Sequence, residues 1–471
     1  MNRFICRVCG YVHEGELDEK TVCPVCHLGA EFFKPEAKQE RDEHVFVDID
    51  ESNVAICRDP EKCMHCGNCK SVCRYKQAVY GRYNAQKCKC KSVCVDCGQC
   101  SIACPAGAIE YKNDYARLKA EMEDENKVFV FITAPATRVS LAEVFGQPEG
   151  TICTQHVVGA LRSLGADYVF DATFGADLTI MEEAKELVSR LQSGKKLPMF
   201  TSCCPSWVKY TEIFYPKMLK NLSTCKSPLS MQAEVIKTYW AQKQNIEPER
   251  IRVVAITPCT AKKAEAKERK AFDYAIPVRE LAKWMVEDGI VFNDIVPSEF
   301  DSVVGSGSGA GVIFGSAGGV MEAVLRSAYY FVTGKNAEQL NFKNIRSLSG
   351  YAEAQISIGG YNLKVAAVSG LANAKKLLDE IQKGKHFDFV EVMACLGGCI
   401  AGGGQPKNIN HTYEEVRKWR STALYYLDQC QEVRCAHDNP EIKTLYRDFL
   451  SKPGATQMLH TKFVDKSGIL G

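Results

Sequence analysis

Two runs of four cysteines constrain this chain more than anything else in it. Cys63, Cys66, Cys69 and Cys73 follow the spacing C-x2-C-x2-C-x3-C, and Cys94, Cys97, Cys100 and Cys104 repeat it with Pro105 behind. The period is about 31 residues, which reads as duplication of one metal-binding unit. Tandem runs of this spacing are specific for two 4Fe–4S clusters, each taking three cysteines from one run and the fourth from the other. One cluster is then assigned Cys63, Cys66, Cys69 and Cys104, the other Cys94, Cys97, Cys100 and Cys73. Cys90, four residues before Cys94, is a competing ligand, but the complete run favours Cys94. Zinc fingers are disfavoured, because neither run has a spaced second knuckle.

The chain has 471 residues and 24 cysteines, 15 of them within the first 104 positions. It is long enough for about three domains and needs no disulfide staples. The opening MNRFICRVCG has no apolar core of an export signal, which predicts a cytoplasmic location, reduced thiols and cysteines used for metals or catalysis. No stretch of apolar residues reads as a membrane span. A net charge of +2 argues against general nucleic-acid binding.

Cys6-x-x-Cys9 and Cys23-x-x-Cys26 form a separate pair of knuckles, suited to one tetrahedral zinc or iron. With Gly10-Tyr11 after the first and Pro24 inside the second, the segment resembles a short-spaced rubredoxin. That resemblance implies a one-electron iron on Cys6, Cys9, Cys23 and Cys26, with structural zinc as the alternative. Residues 1–38 are read as this rubredoxin-like domain, the charged stretch Lys34–Glu43 as a linker, and 45–115 as an α+β ferredoxin-like domain holding the two clusters. Between Arg58 and Lys91 stand nine Lys or Arg and two acids. The excess either neutralises cluster charge or makes a docking face for an acidic carrier.

After a charged, helix-like join at Leu118–Asn126 the pattern changes. Val128–Thr133, Arg252–Ile256 and Leu363–Ser369 read as buried strands; Ala176–Leu191 and Ala372–Gln382 read as helices. The alternation predicts a large α/β domain with parallel sheets over 127–471. Three loops carry the remaining chemistry: Thr201-Ser-Cys203-Cys204-Pro-Ser-Trp207, Pro258-Cys259-Thr-Ala-Lys262-Lys263-Ala-Glu265, and Glu391-Val-Met393-Ala-Cys395-Leu-Gly-Gly-Cys399-Ile-Ala-Gly-Gly-Gly-Gln405-Pro406. Loops after strands are where α/β folds bind ligands. Four dispersed cysteines could converge on one cluster, and the triple glycine is expected to let backbone approach a bulky cofactor.

These three loops resemble the signatures of FeFe-hydrogenases. The likeness extends through Ala134–Arg138, Phe174–Glu183, Gly309–Gly315 and Gly319–Arg326, and residues 438–463 resemble the family's small C-terminal helical segment. It implies reversible H2 = 2H+ + 2e− at an H-cluster. Cys204, Cys259, Cys395 and Cys399 would hold its 4Fe–4S cubane, and Cys399 would bridge to a diiron subsite with CO, cyanide and azadithiolate. Lys262 and the Ala134–Pro135 backbone would face cyanide; Phe314 and Met393 would pack beside the subsite. Cys203 would donate the proton, relayed through water to Glu183, Ser223 and Glu186. Alone, Glu183 and Glu186 are two carboxylates on one helix face, which is ordinarily a solvated surface. A ferredoxin or similar redox carrier and maturation proteins for the diiron subsite are the implied partners.

Thr257, Leu229 and Ala136 stand where the family more often has Met, Gln and Ser, which marks a divergent branch and bears on catalytic bias. Sensor and iron–sulfur-assembly relatives are the rivals within the family; they tend to lack the proton-donating cysteine that Cys203 supplies. Gly305–Ala310 fits G-x-G-x-x-A but lacks any following G-K-[ST] and is not read as a nucleotide site. Cys57, Cys88, Cys90, Cys153, Cys225, Cys430 and Cys435 receive no role beyond packing.

Overall fold

The structure is a computed structural model that describes all residues except 1–2, 7–10, 25–28, 36–45, 85–87, 89–91 and 409. Cys9, Cys26 and Cys90 therefore lie outside the described residues. The rubredoxin-like region forms a three-stranded antiparallel sheet of β1 (Arg3–Cys6), β2 (Val12–Glu14) and β3 (Phe33–Pro35), with β1 in the middle. Cys6 and Cys23 are buried there beside Phe33.

In the cysteine-rich segment, β4 (Ile56–Arg58) pairs antiparallel with β5 (Ile109–Tyr111), closing the segment's two ends on each other. Each cysteine run ends in a short helix, Asn68–Ser71 or Gln99–Ala103. Gly67 and Gly98 precede these helices at φ 77° and 68°, the left-handed turn that glycine accepts without strain. The join beyond is helical only over Tyr115–Glu121; Asp124–Lys127 closes as a turn. Glu121 explains the stop, because its carboxylate is drawn to Lys127 and Arg252 at 2.7 Å each.

Two sheets position the site. The first is fully parallel, in the order β10 (Tyr274–Pro277), β9 (Ile251–Thr257), β6 (Val128–Thr133) and β7 (Tyr168–Asp171). The second runs β11 (Tyr351–Ile358), β12 (Tyr361–Ser369), β13 (Phe389–Met393) and β8 (Met199–Phe200). It is parallel except at its edge, where β11 pairs antiparallel with β12 across Gly359-Gly360. Both turn glycines have positive φ, 50° and 92°, as a two-residue hairpin requires. β11 alternates exposed and half-covered residues and so suits a sheet edge.

The helix Thr173–Ser193 packs on the helices Pro228–Val235 and Gly319–Thr333. Its apolar positions recur at helical spacing, and Gly194 ends it in a left-handed cap, φ 63°. Helix Gly319–Thr333 starts where it does for two reasons. Gly318 sits at φ 88°, with Ile345 O only 2.2 Å from where a Cβ would stand. Glu391 then accepts the Gly318 and Met321 amides at 2.7 and 2.8 Å, a carboxylate at the positive end of the helix. Among the described residues no helix is long and apolar enough to cross a membrane.

Candidate active site

The three signature loops and the turn after β6 all leave the C-terminal ends of parallel strands. Cys203 and Cys204 follow β8, Cys259 follows β9, Cys395 and Cys399 follow β13, and Ala134–Pro135 follow β6. Each motif has a local reason. The Trp207 indole donates to Thr201 O at 3.1 Å, and Thr201 Oγ1 accepts the Val392 amide at 3.2 Å, locking the first loop to β13. Pro205 begins the helix Pro205–Phe214, where its missing N–H costs nothing. In the third loop Gly397 and Gly398 take φ values of 91° and 94°.

Together they line one cavity inside the domain. Its wall includes Cys203, Cys204, Cys259, Cys395, Cys399, Ala134, Pro135, Lys262, Phe314 and Met393. Cys203, Cys204, Cys259 and Cys399 keep partial accessibility because they border this cavity, although they lie deep in the protein. The departures Ala136, Leu229 and Thr257 also line it.

The sulfurs are not arranged for one ion. Tetrahedral zinc with bonds of about 2.3 Å sets its sulfurs about 3.8 Å apart. Among the described residues, the groupings of potential ligands within 4.8 Å are Glu186–Cys225–His460 and Cys435–His437–Asp438, and neither includes a cysteine of the quartets. A wider, multi-atom group fits four thiols that are also offered N–H donors. Cys204 Sγ accepts from the Ala394 amide at 3.5 Å and Cys395 Sγ from Gln99 Nε2 at 3.2 Å. Such donors stabilise sulfur charge and tune an iron–sulfur potential.

Lys262 is the cavity's buried cation. Burial works against its charge, but Glu265 at 2.6 Å holds its pKa above the ordinary value. Ser230 Oγ in turn donates to Glu265 at 2.6 Å, and Ser227 donates to the same carboxylate. The neighbouring Lys263 turns the other way, to Asp114 and Glu280 at 2.8 and 2.7 Å. The turn after β6 also lines the cavity. Pro135 has no N–H, and the Ala134 amide is already given to Ile256 O at 2.8 Å. The donor this turn can offer is the Ala136 amide, in the first turn of the short helix Pro135–Val139, where intrahelical acceptors are missing.

Of the triple glycine, Gly402 lines the cavity. A Cβ on Gly402 would meet Pro258 O at 2.3 Å, on Gly403 it would meet Cys97 O at 2.2 Å, and on Gly404 it would meet Pro277 Cβ at 2.6 Å. The glycines therefore also admit neighbouring protein, and Gly403 admits the cysteine-rich segment. Three further contacts hold that segment here. Gln99 Nε2 reaches Ala401 O at 2.8 Å, Thr260 Oγ1 donates to Asp96 O at 2.7 Å, and Lys209 pairs with Asp96 at 2.6 Å. Nothing in the spacing of the cysteines announces Gln99; its place between Cys97 and Cys100 is the one available signal.

Within the cysteine-rich segment, Cys63, Cys66, Cys69 and Cys104 line one small cavity. Burial opposes ionisation of Cys63, but Arg58 and the His65 amide outweigh it and lower its pKa. Cys73, Cys94, Cys97 and Cys100 form a second group, close enough that Cys73 charge acts on each of the other three.

On the helix Thr173–Ser193, Glu183 is fully buried. Burial, then the nearby Glu186 charge, raise its pKa to about 8, although Ser223 and the Ser202 amide pull the other way. Those two groups face the carboxyl without meeting hydrogen-bond geometry, so both carboxyl oxygens lack a bonded partner. Cys203 lies beside it: burial and then Glu183 push its thiol well above the ordinary value. Ser223 Oγ donates to Glu186 Oε2 at 3.3 Å. Arg190, which no sequence motif singles out, pairs with Glu186 Oε1 at 2.5 Å and also donates to Asn221 O and Leu222 O at 3.0 and 2.7 Å. It thereby fixes the Ser223 loop against the helix.

A cysteine-lined cavity at the strand ends, with a second cysteine-rich segment seated against it, defines an iron–sulfur redox enzyme. The family model for the C-terminal domain of the iron-only hydrogenase large subunit matches residues 127–403. The iron hydrogenase small-subunit model matches 414–466, and the rubredoxin-like domain model of rubrerythrin matches 4–34. Iron hydrogenase 1 of Clostridium pasteurianum is 37% identical over 455 residues, covering 91% of this chain and 79% of that protein. The periplasmic [Fe] hydrogenase large subunit of Nitratidesulfovibrio vulgaris is 38% identical over 388 residues, covering 80% and 90%. A solved apo [FeFe]-hydrogenase from Chlamydomonas reinhardtii superposes with a TM-score of 0.67 at 37% identity, covering 75% of this chain and 99% of that one. A cytosolic iron–sulfur assembly component of Bos taurus is more distant, 29% identical over 373 residues, 74% of this chain and 77% of that protein. The chain belongs to the iron-only hydrogenase family and is an FeFe-hydrogenase, with a rubredoxin-like region towards its N-terminal end.

Proposed function

We propose that this hydrogenase works as three consecutive parts: a rubredoxin-like domain at 1–38, a ferredoxin-like domain at 45–115 with two 4Fe–4S clusters, and an H-cluster domain at 127–471. Cys204, Cys259, Cys395 and Cys399 would hold the cubane of the H-cluster. When bound, the H-cluster supplies the two-electron chemistry of H2. Lys262, fixed by Glu265, offers an N–H donor to an anionic ligand inside the cavity. Met393 and Phe314 exclude water from that space.

Protons move on this chain's own groups. Cys203 stays a thiol because burial disfavours its anion, so it has a proton to give at neutral pH. In H2 evolution Cys203 gives that proton into the cavity and recovers one from Glu183 through water; H2 oxidation uses the same path in reverse. Its raised pKa places Glu183 near the working pH, where general acid–base transfer in both directions is most efficient. Ser223 relays a proton between Glu186 and Glu183 by turning its hydroxyl, and Glu186 opens towards solvent. The observation that carries this reading is Glu183: a fully buried carboxyl with neither oxygen bonded, set between Cys203 and Ser223.

Electrons enter at Cys63, Cys66, Cys69 and Cys104, pass to Cys73, Cys94, Cys97 and Cys100, and leave through the Gly98–Gly403 contact and Gln99. An external carrier such as a ferredoxin supplies them at the basic face between Arg58 and Lys91, and maturation proteins supply the diiron subsite. The N-terminal Cys6, Cys9, Cys23 and Cys26 hold one iron, or zinc. The test is H2 production from reduced methyl viologen after maturation with the diiron cofactor. Steady evolution is expected. An intact cubane with no turnover would transfer the chain to an H2-sensing or iron–sulfur-assembly role.

A further inference from the structure

We propose that Glu186, Cys225 and His460 form a binding site for one thiophilic divalent cation of the Zn2+ class, and that the bound ion closes the proton path at its outer end. One ligand atom from each residue lies within 4.8 Å of the other two. The residues come from three parts of the chain. Glu186 is on the helix Thr173–Ser193, Cys225 follows Ser223, and His460 ends the C-terminal helical segment.

The fold holds the last two together. Cys225 and His460 are partners in an isolated antiparallel bridge, which sets opposing side chains side by side. Flanking bonds fix that register, Lys226 N to Leu459 O at 2.8 Å and Thr461 N to Thr224 O at 2.7 Å.

The donor set suits zinc: one thiol, one imidazole and one carboxylate, with the fourth position of the tetrahedron open to water. Ligand atoms around such an ion stand about 3.3–3.8 Å apart, so closure asks a contraction of about an ångström of side chains that can turn. The present partners do not forbid it. Glu186 Oε1 pairs with Arg190, while Oε2 accepts from the Thr224 amide and hydroxyl, both at 2.9 Å. His460 Nδ1 faces Thr224 Oγ1 at 2.9 Å, and Nε2 faces Glu182 Oε2 at 3.1 Å. An ion displaces one hydroxyl contact and gains the carboxylates of Glu182 and Glu186. The opposing cations are Arg190 and Lys185, the latter already paired with Glu182. Entry is past His460, whose side chain is 30% exposed; Cys225 behind it is 1% exposed.

The inhibitory half rests on the relay proposed above, in which Glu186 must accept and release a proton. A carboxylate on zinc cannot do so. The test uses iron-loaded, matured full-length protein titrated with ZnCl2 against a chromophoric chelator, with H2 evolution from reduced methyl viologen followed in parallel. Cys225→Ser and His460→Gln are compared with the parent; the first is nearly isosteric, and the second replaces a partly exposed side chain. The parent is expected to take up one zinc ion more than either variant, or to bind it at least about 100-fold more tightly. Its H2 evolution should fall with the same midpoint and return with EDTA, while both variants evolve H2 at the parent rate and resist zinc. Equal zinc binding by the parent and both variants overturns the site. Zinc bound at Cys225 and His460 with unchanged turnover overturns the closure, and the fault then lies with the relay rather than with the site.

Discussion

At the residue scale the relay rests on pairings that the chain makes across long separations. That Glu183 and Glu186 share a helix face follows from their spacing, and the resemblance supplies their function. What neither contains is the environment: full burial of Glu183, its unbonded oxygens, and Arg190 holding the Ser223 loop. Burial is set by Pro228–Val235 and Gly319–Thr333 packing on that helix, and no local pattern encodes it. The consequence is a pH signature. The folded state holds the Glu183 proton up to about pH 8, whereas an unfolded Glu loses it near 4.5. The folded state therefore binds more protons in that window, and its stability falls as pH rises through it. Glu183→Gln removes the effect, so the Tm of the variant minus that of the parent should grow between pH 5 and 8. A difference flat with pH would place the carboxyl in solvent instead. The variant should also lose turnover by about 100-fold or more, measured as H2 evolution at saturating reductant.

At the element scale, the three strands and two helices read from the sequence lie within a few residues of β6, β9, β12 and the helices Thr173–Ser193 and Leu371–Gln382, since their apolar runs and spacing are local. The antiparallel β11 is not legible in this way, because only its partner and the Gly359-Gly360 turn define it. The glycines of the third loop are legible as demanding close approach, but not as to what approaches. Gly403 opposes Cys97 O, about 300 residues away in sequence, and only the assembled fold reveals it. Gly403→Ala should cost about 1–3 kcal/mol by overpacking, read as a lower Tm, with carrier-driven turnover reduced more than viologen-driven turnover. Equal loss with both donors would contradict a role in seating the cysteine-rich segment. The helix Tyr413–Cys430, started by a Thr412/Glu415 capping box, is tied to Gly319–Thr333 by Arg326. Arg326 is fully buried and donates to Asp428 at 2.8 and 2.9 Å and to Glu322 at 2.8 Å. Arg326→Met takes one cation from Glu322, which keeps Arg346 at 2.7 Å, and one from Asp428, which keeps Arg434 at 2.6 Å, and should cost about 1–3 kcal/mol, seen in chemical denaturation. A loss below about 1 kcal/mol would reduce the network to a surface ion pair.

At the scale of the whole molecule, the proposal divides the cysteines into a rubredoxin-like site, two quartets and a catalytic quartet, and the second of the two quartets lies against the catalytic one. Gln99 ties the last two together through its bond to Cys395 Sγ. Gln99→Ala removes an N–H donor from that sulfur, so the catalytic cubane should become harder to reduce and its midpoint potential should move negative. An unchanged potential in a spectro-electrochemical titration would leave Gln99 a purely structural contact. On the proposed mechanism turnover depends, finally, on a thiol beside the catalytic quartet that delivers protons without holding iron. H2 evolution from reduced methyl viologen by matured Cys203→Ala, set against the parent at equal iron content, tests this directly. Intact clusters with turnover lower by about 100-fold or more are predicted; full turnover in the variant would contradict the proton-delivering role of Cys203.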